Sequence, residues 1–416
     1  MLSSDIKEPV VILGAGIVGI CTALSLLERG VPVTLIDRGD PGQETSMGNA
    51  GVVSPWSIVP QAMPGIWKTI PNLMFGYGRP LSIHPKKALK MIPWGMRFLR
   101  QGREESVVEA ADAMSLLCGP SIELYEQHLR GTGHENLITQ SCYVHAFRDA
   151  SRARLDDLGY RLRSRMGADL ELVGRDQLAT LEPALSPTFQ ADIVINGQAR
   201  VRSPGRLGKV LVDKAKSLGA TFKRAVIKKL SRTQASWVIS CENEEIEAHR
   251  VVMCLGVWSA DMLRELPLKM PLIAERGYHA EFHDPGIEIN NSVMDVDAKI
   301  VASSMEDGVR IAGQAEFAPI DAQPSQKRKA LLVDVAKKAF PHLRTASPNF
   351  WMGRRPSFPD SLPMLGGVQD QPGLYANFGH SHYGLMMAPK SGKLVAEIIS
   401  GNVPNANLEP FSPTRF

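Results

Sequence analysis

Three glycines and one acid near the start of the chain have the types and spacing to hold a diphosphate and a ribose. The glycines lie in Gly14-Ala15-Gly16-Ile17-Val18-Gly19, and the acid is Asp37. Gly14 permits a sharp turn, and Gly16 lets the backbone approach a pyrophosphate. Gly19 lets a helix pack closely on a strand, and Asp37 offers acceptors to a ribose hydroxyl. The pattern carries meaning only between a strand and a helix.

That context is present. Val10-Val11-Ile12-Leu13 is a short apolar run. Residues 20–29 read as a helix that Gly30 stops, and 31–36 form a second apolar run ending at Asp37. Strand, glycine turn, helix, strand and acid make a dinucleotide-binding unit, with the pyrophosphate at the helix N-terminus. The fingerprint alone leaves NAD and FAD open.

At 416 residues the chain has room for roughly two or three domain-sized units. It is 44% hydrophobic and 22% charged, as soluble globular proteins are. A net charge of +4 is too small to imply nucleic acid. The five cysteines, Cys21, Cys118, Cys142, Cys241 and Cys254, are scattered and form no C-x-x-C. They point to reduced thiols in a cytoplasmic setting rather than to zinc or disulfides. Met1 to Glu8 carries acids where a secretory signal needs a basic start and an apolar core. No apolar run reaches the length of a membrane span.

After Asp37, residues 38–51 are rich in turn formers and small side chains, including Ser46, Asn49, Ala50 and Gly51. This loop leaves the acid-bearing strand and is placed to return to the nucleotide crevice. The stretch 55–103 is basic and rich in tryptophan, and no acid occurs between Glu44 and Glu104. Its composition suits anionic lipid headgroups. It equally suits a proline-broken insertion packed on its own domain. Nucleic acid is a weaker option, because no nucleic-acid module accompanies the patch.

Further along, 104–130 reads as one helix, 142–147 as a strand, 150–166 as a charged helix and 170–181 as a strand–helix pair. Residues 204–218 are a helix, and 221–227, 236–240 and 250–255 are strands. The last of these runs into the turn Gly256-Val257-Trp258-Ser259. Residues 272–282, 298–305 and 309–317 read as antiparallel strands, and 327–339 as a helix. Gly353-Arg354-Arg355-Pro356 follows. A strand at 374–378 then meets a second glycine turn, Gly379-His380-Ser381-His382-Tyr383-Gly384. A helix over 386–400 fits only if Pro389 lies in its first turn.

These blocks, in this order, make the chain resemble the FAD-dependent D-amino acid oxidase superfamily, and within it the bacterial D-amino acid dehydrogenases and D-hydroxyproline dehydrogenases. The resemblance implies an α/β fold with a Rossmann-like FAD-binding domain assembled from 1–60, 198–262 and 352–416. A substrate domain with a large mixed or antiparallel sheet would comprise 61–197 and 263–351. FAD contacts would come from the fingerprint, Asp37, Arg38, Ser46, Asn49, Ala50, Gly51, Val226, Gly256, Trp258 and Gly353. The turn from Gly379 through Gly384, with Leu385, would lie against the isoalloxazine. No cysteine follows Cys254 and no histidine precedes His84, so FAD is expected to be non-covalent.

The resemblance further implies oxidation of an amine beside a carboxylate. Arg355 would bind the carboxylate through its guanidinium fork, although Arg354 stands beside it. Tyr278 is a second carboxylate contact on this basis, and His382 would line the substrate cavity. His380 and His382 lack the further ligands of a metal site. The expected activity is a D-amino acid or D-imino acid dehydrogenase passing electrons to a quinone or electron-transfer protein, with possible peripheral contact to a membrane. An oxygen-using oxidase and a non-catalytic FAD-binding subunit are the alternatives.

Overall fold

The computed structural model describes residues 8–266, 268 and 270–416, so all but Glu8 of the N-terminal segment discussed above lies outside the described residues. The fingerprint strand Val10–Leu13 is central to a six-stranded sheet. It runs parallel to Val33–Asp37 on one side and Val251–Met253 on the other. Thr221–Arg224 and Leu374–Phe378 extend the parallel set, and Met364–Gly367 closes one edge antiparallel. Alternate side chains of the first strand enter two separate cores. Val10 and Ile12 meet Ile20, Leu24, Leu394 and Val395 of the helices Ile17–Leu27 and Gly384–Ile399. Val11 and Leu13 meet Leu230, Trp237 and Ile239 of a three-stranded antiparallel sheet. A parallel strand covered on both faces has to be apolar throughout, which is why this run shows no polar alternation.

A ten-stranded mixed sheet forms the second layer. Asn349–Ser357 lies at one edge beside Ile273–Phe282, which pairs with Gly308–Phe317. Ile300–Met305, Ser292–Asp295, Ile138–Phe147 and Ala191–Val201 follow in order, and Val52–Val53 ends the path. The helix Gln326–Ala339 packs on this sheet through Leu332, Val335 and Ala336. The two sheets are joined next to the site. Ser381 N–H donates to Pro356 C=O at 3.0 Å, and Ser357 and His380 form an antiparallel bridge.

The structure corrects several readings. The helix expected over 104–130 is two, Glu104–Cys118 and Ser121–Leu129, broken at Gly119-Pro120. Proline has no N–H to continue the helical ladder, and Pro120 itself leaves helical backbone at ψ 15°. The charged helix at 150–166 reduces to a single turn at Ala150–Arg152 and the helix Leu158–Arg165. Pro389 lies beyond the first turn of Gly384–Ile399. It leaves the Leu385 carbonyl without its helical donor, and the buried Tyr125 hydroxyl donates to that carbonyl instead at 2.7 Å.

The basic stretch forms the helices Ile66–Phe75 and Pro85–Gln101. No residue of the first is buried, and only Trp94 of the second is, stacked on Phe98 at 5.2 Å. Among the described residues, no helix is long and apolar enough to cross a membrane.

Candidate functional site

A cavity of about 1630 Å³ runs from the carboxyl end of the six-stranded sheet onto one face of the large sheet. Its nucleotide end is built by the fingerprint. Gly14 has φ +104°, and a Cβ there would lie 2.4 Å from the Cys254 carbonyl oxygen. Ala15 N–H donates to Asp37 Oδ2 at 2.7 Å, and Gly39 N–H donates to Oδ1 at 2.9 Å. The Ser46 hydroxyl accepts from Ile17 N–H at 3.0 Å, so the returning loop caps the first helix. Asn49 Oδ1 accepts from Gly51 N–H at 2.8 Å. The Arg38 guanidinium lies 4.1 Å from the Trp258 ring centroid.

The cavity wall includes Gly14, Gly16, Ile17, Val18, Asp37, Arg38, Ser46, Asn49, Ala50, Val226, Gly256 and Trp258, along with Gly353 and the whole run from Gly379 to Leu385. Ala15, Gly19 and Gly51 are absent from it. Gly19 packs behind the wall, where an added Cβ would come within 1.9 Å of the Gly14 carbonyl oxygen. These residues suit an FAD. A bare backbone turn and an acid stand at one end, and at the other the buried Ser381 hydroxyl has no protein partner. Ser381 also has φ +50°, a conformation that side chains other than glycine adopt at a cost.

At that far end the charged groups form one network. Arg355 stands directly opposite Glu275 on paired strands, and its Nη1 donates to Glu275 Oε1 at 2.7 Å and to the Gln314 carbonyl at 3.0 Å. Glu275 Oε2 accepts from Gln61 Nε2 and from the Ser357 hydroxyl, each at 3.1 Å. Burial alone would raise the Glu275 pKa. The charge of Arg355, with the hydrogen bonds from Gln61 and Arg355, outweighs it and holds the carboxyl below its ordinary value. Gln61 Nε2 also lies 3.1 Å from His382 Nδ1. Burial pushes His382 down to about 4, against the pull of Glu275 and with the push of Arg355, so it is neutral at physiological pH. Gln61 then donates to both neighbours, and His382 Nε2 carries the ring proton.

The guanidinium lies flat over Gly277, where a Cβ would sit 2.2 Å from Arg355 Nη2. Among the described residues, Nε and Nη2 of Arg355 have no hydrogen-bond partner, which leaves one edge of the fork available to an anion.

The two adjacent arginines both line the cavity but are engaged differently. Arg354 is on the other face of its strand, donating to the Ile320 carbonyl at 2.9 Å. Tyr278 also lines the cavity, but its hydroxyl is engaged away from Arg355. Tyr278 follows Gly277 on an extended strand, so its side chain points to the opposite face from Glu275 and Arg355. There it is buried against Leu332 and Val335, donating to Glu316 Oε2 at 2.5 Å and accepting from Ser325 N–H at 3.1 Å. His380 is structural: Nε2 lies 3.1 Å from the Ser391 hydroxyl, and burial pushes the ring down to about 3.

Sequence reasoning missed Gln61, Glu275, Gly277 and Gln314. Gln314 has φ +63° beside the register shift opposite Arg276 and Tyr278. That irregularity aims its carbonyl at Arg355, as bulges near active sites do.

Residues 9–398 match the DAO family of FAD dependent oxidoreductases. A D-amino-acid oxidase from Bradyrhizobium diazoefficiens is 36% identical over 98% of both chains. A D-amino acid dehydrogenase from Chromohalobacter salexigens is 30% identical over 95% of this chain and 96% of its own. Glycine oxidase from Geobacillus kaustophilus shares the fold, with a TM-score of 0.74 over 98% of both chains at 19% identity. The nucleotide cradle and these matches agree, and the chain belongs to the DAO family of FAD-dependent oxidoreductases.

Proposed function

We propose that the chain is a dehydrogenase for D-amino acids, or for cyclic D-imino acids such as D-proline and hydroxy-D-proline, with a quinone or another non-oxygen acceptor. The observation that carries the amino-acid reading is the half-open fork of Arg355, held by the ionised Glu275 and facing the cavity. In this reading the segments 1–60, 198–262 and 352–416 hold FAD without a covalent link. The remainder, 61–197 and 263–351, shapes the substrate cavity.

When bound, FAD supplies the acceptor for the hydride that leaves the substrate Cα. Arg355 takes the substrate carboxylate on Nε and Nη2, and so fixes which bond at Cα faces the cofactor. Glu275, Gln314 and the space over Gly277 hold the guanidinium in that orientation. His382 is neutral, so it adds no second cation and raises no barrier to a neutral substrate amine. The unpartnered Ser381 hydroxyl and the amides of the turn Gly379–Gly384 not spent within the fold would hold the isoalloxazine and stabilise negative charge on it.

The acceptor reading is supported by the helices Ile66–Phe75 and Pro85–Gln101. They expose Trp67, Phe75, Leu89, Ile92, Met96 and Leu99. Between and beside these stand Lys68, Lys86, Lys87, Lys90, Arg97 and Arg100. None of these cations forms an ion pair among the described residues, whereas elsewhere on the chain exposed cations such as Arg154 and Arg264 do. Apolar side chains ringed by free cations complement an anionic membrane surface. Ile70, Leu73, Met91 and Phe98 of the same helices line the cavity, which gives a lipid-borne quinone a way in.

The name of the 36% identical relative favours a second reading, in which oxygen is the acceptor. One experiment addresses both. The holoenzyme is mixed anaerobically with D- and L-amino acids while flavin absorbance is followed, then reoxidised with air or with a quinone analogue. Bleaching by D-substrates and faster reoxidation by quinone is expected. Bleaching by no amino acid overturns the reading, and rapid reoxidation by air favours the oxidase.

A further inference from the structure

We propose that the cavity carries a second anion subsite, built by Arg163, Tyr143 and His145, which takes the distal carboxylate of a dicarboxylic D-amino acid. All three side chains line the cavity that Arg355 lines. Arg163, on the helix Leu158–Arg165, spends Nε on the Trp56 carbonyl at 3.0 Å and Nη1 on the Gly159 carbonyl at 3.1 Å. Among the described residues, Nη2 has no partner and no carboxylate lies within ion-pair distance. The acids on the nearby wall are engaged elsewhere: Asp157 lies 4.0 Å from Arg154, and Asp297 lies 3.5 Å from Arg148 and also meets Arg152.

Two donors accompany the cation. The Tyr143 hydroxyl makes no hydrogen bond among the described residues, and its ring meets His145 edge-on at 4.7 Å. His145 is 6% exposed, with Nδ1 2.8 Å from the Tyr160 hydroxyl. Its Nε2 is buried without a partner. Burial first, then the positive charges of Arg163 and Lys299, keep this imidazole neutral well below its ordinary range. In the tautomer where Tyr160 donates to Nδ1, Nε2 carries the proton and is a free donor.

A cation and two donors with no acceptor between them make a site short of one anion. His145 Nε2 is the buried member, and a buried polar group left without a partner is costly. A carboxylate satisfies all three, and Arg is suited to bind one. Tyr383 lines the same cavity and touches the Arg355 network through His382. Its ring lies 3.8 Å from His382, and its hydroxyl donates to the Val59 carbonyl at 2.7 Å. In the proposed mode a substrate held by its α-carboxylate at Arg355 extends its side chain past Tyr383 toward Arg163. This inference rests on the reading of Arg355 as the α-carboxylate site.

The test uses the FAD-loaded enzyme in two measurements. Anaerobic flavin reduction compares D-glutamate and D-aspartate with D-alanine and D-leucine. The dicarboxylic substrates are expected to have the higher kcat/KM. In Arg163→Met the ratio of kcat/KM for D-glutamate to that for D-alanine is expected to fall about 100-fold, through KM. Tyr143→Phe is expected to lower it about 10-fold, and Arg163→Lys to retain part of it. In the second measurement, flavin absorbance is titrated with glutarate and with butyrate. Glutarate should bind tighter to the wild type and no tighter to Arg163→Met. Preference for D-alanine over D-glutamate in the wild type, or equal binding of glutarate and butyrate, overturns the subsite. If no amino acid bleaches the flavin, the oxidation reading fails by itself and the glutarate titration still decides the subsite. Full competition with glutarate by inorganic phosphate would make it a free-anion site and overturn the substrate role.

Discussion

Arg355 Nη1 donates to Glu275 Oε1 at 2.7 Å across directly paired strands, and this pair orients the guanidinium in the cavity. The partner is 4% exposed in its side chain and takes two further hydrogen bonds, from Gln61 and Ser357. A fork half-spent on a fixed acid keeps its remaining edge in one orientation, which is worth more to positioning than a free arginine would be.

Gly277 makes that orientation sterically possible. In Gly277→Ala the new methyl would lie 2.2 Å from Arg355 Nη2, so the guanidinium has to move. The expected result is a KM for amino acid raised roughly 10-fold or more, with FAD retained, because displacing a positioning group by an ångström costs that much or more. Steady-state kinetics beside a flavin spectrum checks it, and an unchanged KM would contradict it.

Tyr125 compensates for a proline inside a helix. Removing its hydroxyl in Tyr125→Phe leaves the Leu385 carbonyl buried without a donor. The expected loss is about 1–3 kcal/mol of stability, read from the urea midpoint of the holoenzyme. A midpoint at or above that of the wild type would show that the proline-freed carbonyl finds another partner.

Acid should destabilise the fold through its buried histidines. His279 and His380 are pushed down to about 3, and His382 to about 4, from an ordinary 6.5. Burial is the leading cause in all three. Below pH 6.5 the unfolded chain takes up protons that the folded one refuses, so their contribution is whole above that value and lost as pH falls toward the folded pKa values. Each histidine costs at most about 1.4 kcal/mol per pH unit between pH 6 and 4. Glu275, held below its ordinary range, adds a loss in the same direction at lower pH. Denaturant midpoints at pH 7, 6 and 5 should therefore fall monotonically. A flat profile would mean that these rings take up protons without unfolding.

The exposed helices should carry the chain to anionic membranes. Co-sedimentation with phosphatidylglycerol vesicles is expected at low salt, to weaken steeply as salt rises, and to be lost in a Trp67→Glu, Leu89→Glu double variant that keeps its flavin reduction. Equal binding to neutral vesicles, or none to anionic ones, would return these helices to the reading of a surface insertion.

Much of the nucleotide half was legible from sequence because its signals are local. The turn glycines, Asp37 and the strand–helix order all fall within the first forty residues. Ser46 was named as a close neighbour of the ligand, but its role as cap of the first helix needed the fold. The amine site was only half legible. Arg355 stood out through resemblance, but Glu275 and Gln61 reach it across long stretches of chain, and nothing near either residue in sequence marks it. The orientation of Tyr278 was not legible for a simple reason. On an extended strand, adjacent residues face opposite sides, and which side holds Gly277 depends on pairing with Asn349–Ser357, which sequence does not specify. Pro389 misled because the donor that compensates it lies on another helix.

In the proposed reaction Arg355 works by holding the substrate carboxylate. The most direct measurement removes each partner in turn. The rate of anaerobic flavin reduction is compared for D-alanine and for ethylamine, which lacks the carboxylate, in the wild type and in Arg355→Met. The wild type should favour D-alanine by about 100-fold or more in kcat/KM, and Arg355→Met should lose most of that preference while keeping its FAD. An equal preference for D-alanine in both enzymes would contradict the account.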